Sequence, residues 1–159
     1  TMINRAGEIF TRQPSDYQIG YLQVNVLPHE WFVSSVFKLT KGNQQESIAA
    51  IKETLAKRRE KHPLEHPNAG SVFRNPPGDY SARLIEASGL KGYRIGGASV
   101  STKHVNFIVN DQQATARDID ELISHVAAIV KRDHGVRLLR EVRRLAKDGI
   151  QIEGENDEM

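Results

Sequence analysis

Residues 115–135 carry the pattern that most restricts how this chain can fold. Ile119, Leu122, Ile123, Val126, Ile129 and Val130 recur at helical spacing and make one apolar stripe. Thr115 and Asp118 stand ahead of it at capping-box spacing, with Asp in the position usually held by Glu or Gln. Lys131, Arg132 and His134 fall in the last turn, where cations suit the helix dipole, and Gly135 ends the pattern.

The segments around this helix are shorter and mixed. The stretch to about Gln18 predicts a short hairpin or a tail. Trp31 to Leu39 is dense in aromatic and β-branched residues and ends at Lys41-Gly42-Asn43, which predicts a strand. Ser47 to Lys61 places Ile48, Ile51 and Leu55 at helical spacing, and Pro63 sets the end, because the residue before a proline resists the helical region. The loop from Pro63 to Gly78 holds four of the six prolines. Asp79 can cap a second helix that runs to about Ser88, buries Leu84 and Ile85, and stops at Gly89. Tyr93 to Gly97 and Val105 to Val109 predict short strands around a turn, the second alternating with Asn106 on the face opposite its apolar neighbours. Val136 to Leu145 predicts a last strand. The order lacks a strict βαβ rhythm and a GxGxxG loop. It predicts an α+β fold, one compact domain of mixed short strands with packed helices, rather than a doubly wound nucleotide fold.

Composition removes several classes of function. The 159 residues suffice for one domain with a core. The net charge is +2, and basic residues are largely dispersed, with runs at Lys57-Arg58-Arg59 and Arg143-Arg144 that lack aromatic interleaving, so no nucleic-acid partner is expected. With no cysteine, disulfides, thiolate catalysis and cysteine-ligated zinc are excluded. The six histidines include no HExxH motif, so no metal is predicted. No apolar run approaches the roughly 20 residues of a membrane span. Met2-Ile3-Asn4-Arg5 leads into polar sequence rather than a signal peptide. A cytoplasmic protein with no membrane partner is the expectation.

Chemistry concentrates in Asn68-Ala69-Gly70-Ser71-Val72-Phe73-Arg74-Asn75-Pro76-Pro77-Gly78. Ser71 sits in a glycine turn beside an arginine and an Asn-Pro turn. It is either a turn serine bonded to its own backbone or a hydroxyl held against a substrate. No Gly-x-Ser-x-Gly elbow surrounds it, which argues against a hydrolase nucleophile. Lys61 and Arg74 flank the loop, as solvated cations or as phosphate ligands. His104, after Ser99-Val100-Ser101-Thr102-Lys103, is a structural or a catalytic histidine. Glu141, among Arg140, Arg143 and Arg144, is a surface ion pair or a carboxylate facing a pocket from the last strand.

The order of these motifs resembles the substrate-binding, C-terminal domain of the UDP-N-acetylenolpyruvoylglucosamine reductase (UDP-N-acetylmuramate dehydrogenase) family. The resemblance rests on Arg58 to Pro67, Ala69 to Gly78, Ala82 to Gly92, Ile95 to Asn110, Ala114-Thr115-Ala116, and Leu138 to Arg143. It covers nearly everything from Gly20 to about Leu145. The uninterrupted Gly97 to Asn110 region is similar to the shorter, type II branch. The resemblance implies three parts: residues 1–20 as the end of an upstream FAD-binding domain or a tail, 21–148 as the substrate-binding domain, and 149–159 as an acidic mobile tail.

The family reduces an enolpyruvyl ether on UDP-N-acetylglucosamine for peptidoglycan synthesis, with NADPH reducing a bound FAD. The resemblance implies Ser71 as proton donor to the reduced enolpyruvyl carbon, with Glu141 assisting. It implies Lys61, Asn75, His104, Tyr21 and Arg74 as substrate-binding residues. It further implies a separate FAD-binding domain as partner, because Gly7 to about Tyr21 look like only the last piece of that domain and glycine-rich flavin-diphosphate loops are absent. FAD binding and activity are therefore not expected of these residues alone. The family typically carries Tyr-Arg where this chain has Tyr21-Leu22. That arginine helps polarise the enolpyruvyl carboxylate, and leucine has neither charge nor donor. The substitution keeps open an alternative, a non-catalytic UDP-sugar-binding or assembly module of the same fold.

Overall fold

The computed structural model describes residues 1–20, 23–146 and 149–151. The chain divides into two compact units, Thr1–Gln44 and the part from Gln45 onward.

In the first unit, β1 (Met2–Asn4) pairs antiparallel with β2 (Ile9–Phe10), so of the hairpin or tail expected at the N-terminus the hairpin forms. β3 (Gln18–Gly20) and β4 (Gln23–Asn25) make a second hairpin. β5 (Glu30–Phe32) adds to the other side of β1, with Ile3 opposite Trp31. Arg12 grips Glu30 through two hydrogen bonds of 2.9 and 2.6 Å. The strand predicted from Trp31 to Leu39 is therefore a correction: pairing stops at Phe32. Val36 and Phe37 are 98% and 78% exposed, because strand propensity without a partner strand has nothing to stabilise it.

The second unit contains the core. α1 (Gln44–Lys61) begins three residues before the predicted start and ends where Pro63 requires. α2 (Ser81–Ala87) buries Leu84 and Ile85 as expected, and Gly89 follows with a left-handed backbone. Tyr80, not Asp79, occupies the cap position of α2. Asp79 instead accepts from the Tyr80 amide and pairs with Arg83, one turn into the helix.

β6 (Arg94–Ile95), β7 (Ala98–Val100) and β8 (Ile108–Asn110) form an antiparallel sheet with β7 in the centre. The predicted strand from Tyr93 to Gly97 is thus the first arm of a hairpin whose second arm is β7, and pairing in the first arm is confined to Arg94 and Ile95. The turn needs glycine at position 97, where a Cβ would stand 2.4 Å from the amide of Ala114. The predicted Val105–Val109 strand starts only at Ile108, and Val105 to Val109 are all buried rather than alternating.

α3 (Ala116–His134) follows the sequence reading closely. The Thr115 hydroxyl accepts from the Asp118 amide, the Asp118 carboxylate accepts from the Thr115 amide, and Gly135 caps the end at φ 69°. Leu122, Ile123, Val126 and Val130 join Val72, Phe73, Leu84, Ile85 and Val100 in one core. Val136 to Leu145 is not a continuous strand. It contributes an isolated bridge, Phe73 with Arg140, and then β9 (Arg144–Ala146), which pairs with β10 (Gly149–Gln151). Residues 149–151, read from sequence as tail, are thus the second arm of a hairpin; residues 152–159 lie outside the described residues. Among the described residues, short antiparallel strands and helices occur without parallel βαβ units, an α+β arrangement.

Candidate functional site

Asn68 builds the turn that presents Ser71. Its Oδ1 accepts from the Gly70 amide at 3.0 Å, and its Nδ2 donates to the carbonyls of Pro63 and His66 at 3.0 and 2.9 Å. Gly70 has φ +79°, a conformation that favours glycine. Ser71 follows, exposed, and its hydroxyl has no hydrogen-bond partner among the described residues. It is not a turn serine satisfying its own backbone.

The next three residues are clamped from both sides. Val72 donates to the carbonyl of Asn106 at 2.8 Å, and Arg74 to that of Leu139 at 2.9 Å. The Val72 carbonyl accepts from the amides of Glu141 and Val142, at 2.8 and 3.4 Å. Two segments almost seventy residues apart in sequence thus run antiparallel, and Glu141 lies next to the residue that follows Ser71. The Glu141 carboxylate meets Arg74 Nε at 3.3 Å, an exposed pair that contributes little to stability.

Arg140 anchors this segment to α3. Its guanidinium donates to Asp120 Oδ1 and to Ser124 Oγ, both at 2.7 Å, and Arg144 reaches Asp120 Oδ2 at 2.9 Å. The hydrogen bond from Arg140 is the largest influence holding the Asp120 carboxyl below the usual carboxylate range. Asn75 is exposed, but its Oδ1 accepts from the Ser81 amide at 3.1 Å, and buried Ser81 donates to the Arg74 carbonyl at 2.5 Å. These two bonds fasten the Asn-Pro turn to the start of α2.

Ser71, Arg74, Asn75 and Glu141 are therefore brought together on one edge of the second unit. Lys61 and His104 belong to a different cluster at the end of α1. Lys61 is exposed and without an ion-pair partner among the described residues. His62 beside it stacks on His104, with centroids 5.4 Å apart, and both rings meet Phe107 edge-on. His104 Nδ1 accepts from the Asn106 amide at 3.3 Å, which leaves Nε2 to carry the proton of the neutral ring. Burial first, and repulsion from His62 second, push its pKa below the ordinary value. Tyr21 and Leu22 lie outside the described residues.

Two clefts adjoin these groups. One of about 270 Å³ lies between the Ser71 loop and α3, with Asn68, Val72, Ile108, Ile123 and Val142 among its mostly apolar lining. The other, about 190 Å³, is polar, and its cations are already matched: Arg94 with Asp111 at 2.7 Å and Lys103 with Glu65 at 2.9 Å. Both fall short of the roughly 300–1,000 Å³ of typical cofactor pockets, so neither fits a flavin dinucleotide. Among the described residues no three His, Asp or Glu side chains converge as metal ligands, and no helix is long and apolar enough to cross a membrane.

Sequence reasoning missed Asn106, Ser81 and Asp120, which hold the site together. One signal for Asn106 was available, a polar residue in an otherwise apolar run, where burial demands a hydrogen-bond partner.

Known proteins share this arrangement. Residues 62–145 match the UDP-N-acetylenolpyruvoylglucosamine reductase C-terminal domain. A UDP-N-acetylenolpyruvoylglucosamine reductase of Legionella pneumophila (strain Paris) is 49% identical over 150 residues, which are 94% of this chain and 50% of the relative. One from Thiobacillus denitrificans is 52% identical over 143 residues, 89% of this chain and 44% of the relative. The crystal structure of the reductase (MurB) from Thermus caldophilus superposes with a TM-score of 0.69 at 31% identity, over 86% of this chain and 49% of that one. The chain spans about half the length of the curated relatives it matches. The motif order, the fold and these similarities agree: the chain belongs to the UDP-N-acetylenolpyruvoylglucosamine reductase family, and its residues 62–145 are the C-terminal domain of that family.

Proposed function

We propose that this chain supplies the UDP-sugar-binding and proton-donating part of a cytoplasmic reductase that converts UDP-N-acetylenolpyruvoylglucosamine to UDP-N-acetylmuramate in peptidoglycan synthesis. The observation that carries the proposal is the Ser71 turn: an exposed hydroxyl without a partner, on a backbone clamped beside Glu141. Reduced FAD, itself reduced by NADPH, supplies the hydride in such a reaction. The share proposed for this chain's own residues is the proton.

Hydride addition to the terminal alkene carbon forms one C–H bond and sends the π-electron pair toward the carbon bearing the carboxylate. Ser71 Oγ–H then breaks, and its proton forms the second C–H bond at that carbon. Glu141, one backbone bond from the serine loop, assists this transfer and helps return a proton to Ser71. Arg74 offsets negative charge developing on the substrate carboxylate. Lys61 and Asn75 hold the UDP part, and His104 Nε2 offers the polar contact its buried Nδ1 does not. Tyr21 is assigned to the substrate as well.

Calorimetric titration of the chain with UDP-N-acetylenolpyruvoylglucosamine tests the binding half. Heat, with shifts of the Ser71 and Asn75 amide resonances, is expected; silence at millimolar ligand would overturn it. A chimera in which this chain replaces the matching half of the Legionella pneumophila reductase tests the chemistry. There Ser71→Ala is expected to cut product formation about 10²- to 10⁴-fold while leaving UDP-sugar binding intact. Full activity in that variant would remove Ser71 from the reaction and leave a UDP-sugar-binding module.

A further inference from the structure

In the alternating strand expected over Val105 to Val109, Asn106 lies on the face opposite its apolar neighbours. Instead it is 4% exposed, in the turn between β7 and β8, and makes four hydrogen bonds. Its Oδ1 accepts from the Phe73 amide at 3.0 Å, and its Nδ2 donates to the Phe73 carbonyl at 2.9 Å. Its own carbonyl accepts from the Val72 amide at 2.8 Å, and its amide donates to His104 Nδ1 at 3.3 Å. The side-chain amide thus does for Phe73 what a neighbouring strand would do, presenting one donor and one acceptor to the same residue. A side-chain amide carries the donor and the acceptor on separate atoms, so it can meet both groups of one residue.

The opposite edge of the same residues is held by the Leu139–Val142 segment through the bonds to Val72 and Arg74. Asn106 therefore closes a clip around the two residues after Ser71. Glu141 hangs in turn from the Val72 carbonyl, so the clip bears on the backbone next to both groups. Through its backbone amide Asn106 also reaches His104 and, by the ring stack, the end of α1 that bears Lys61.

We propose that Asn106 is a positioning residue that sets the distance and orientation of Ser71 relative to Glu141. The idea rests on the proton-donor reading of Ser71, but its structural half is testable without it. Buried, fully satisfied bonds of this kind rigidify a backbone, whereas losing one partner leaves a buried N–H and C=O unmet.

Asn106→Leu keeps the branched shape at Cγ and removes both side-chain bonds. In the full chain, hydrogen exchange of the Phe73 amide is expected to speed up about tenfold or more, while amides of α3 keep their protection. In the chimeric reductase the same variant is expected to lower kcat about 10- to 100-fold with KM for the UDP-sugar little changed, since sub-ångström misplacement acts on the reacting geometry rather than on binding. Asn106→Asp gives a second, independent readout. Protonated, it still donates to Phe73 O and accepts from Phe73 N. Ionised, it sets a negative oxygen against a carbonyl, so kcat relative to the parent should fall as pH rises through the titration of that carboxyl.

Unchanged Phe73 exchange in Asn106→Leu would overturn the clip. Normal kcat in that variant, or an Asn106→Asp rate ratio flat with pH, would overturn its role in positioning. If Asn106→Leu does not fold, the pH series on Asn106→Asp decides. Failure of the Ser71 reading is distinguishable, because it leaves Ser71→Ala fully active while Phe73 exchange still responds to Asn106.

Discussion

α1 and α3 are 18 and 19 residues long, yet α3 buries Leu122, Ile123, Val126 and Val130 while α1 buries none of its residues. Ile48, Ile51 and Leu55 have the spacing of a core-facing stripe, but all three are more than two-fifths exposed. α3 carries six apolar residues on one face, a satisfied cap at its start and a left-handed glycine at its end. α1 is tied down at its last turn instead, where Lys103 Nζ donates to the Arg59 carbonyl at 3.3 Å and His62 stacks on His104. Helical periodicity therefore reports that a segment can be a helix. The width of the apolar stripe reports whether it must be buried.

The contrast is most easily broken in the core. Leu122→Ala is expected to cost about 2–5 kcal/mol, read as a lower urea midpoint, because it deletes side-chain volume at a fully buried position. A cost near zero would mean that α3 is not the organising helix. Thr115→Ala removes the oxygen that accepts from the Asp118 amide and should cost about 0.5–2 kcal/mol, recovered in part by Ser at the same position.

A smaller effect follows from the ring stack at the end of α1. The folded state holds the His104 pKa below the ordinary 6.5, so the unfolded chain takes up the proton more readily. Its contribution is present above about pH 6.5 and is lost as pH falls through the lower, folded value. The carboxylates with depressed pKa values, such as Asp79 at about 2, titrate below this window. The urea midpoint should thus drop between pH 7.5 and 5.5 in the parent, and less so in His104→Gln. The smallest expected effect is Ile51→Ala, within about 0.5 kcal/mol, because the side chain is 58% exposed. A loss near that of Leu122→Ala would show that α1 is packed in solution as α3 is.

The site shows the same division between local and long-range signals. The glycine turn at Ser71, the proline end of α1 and the Thr115–Asp118 cap were legible, because each depends on residues within four positions of one another. The strand reading of Trp31 to Leu39 went too far, since only Glu30–Phe32 finds a partner in β1. The reading of Val136 to Leu145 went too far for a related reason: the opposing segment, residues 72–74, is only three residues long. Asp79 had the right composition for a cap, but the chain turned one residue later. Asn106 was illegible as a clip because its partner, Phe73, is 33 residues away.

The α3 stripe and its caps, the turn that presents Ser71, and the family motif order are all written in neighbouring residues. These follow from local spacing and from backbone preferences of glycine and proline. Long-range packing set the rest: α1 stays exposed, Asn106 serves as a strand edge for Phe73, and Glu141 comes beside Val72, the residue after Ser71. Those outcomes depend on which distant backbone groups find hydrogen-bond partners when the core closes, and buried donors and acceptors leave few alternatives.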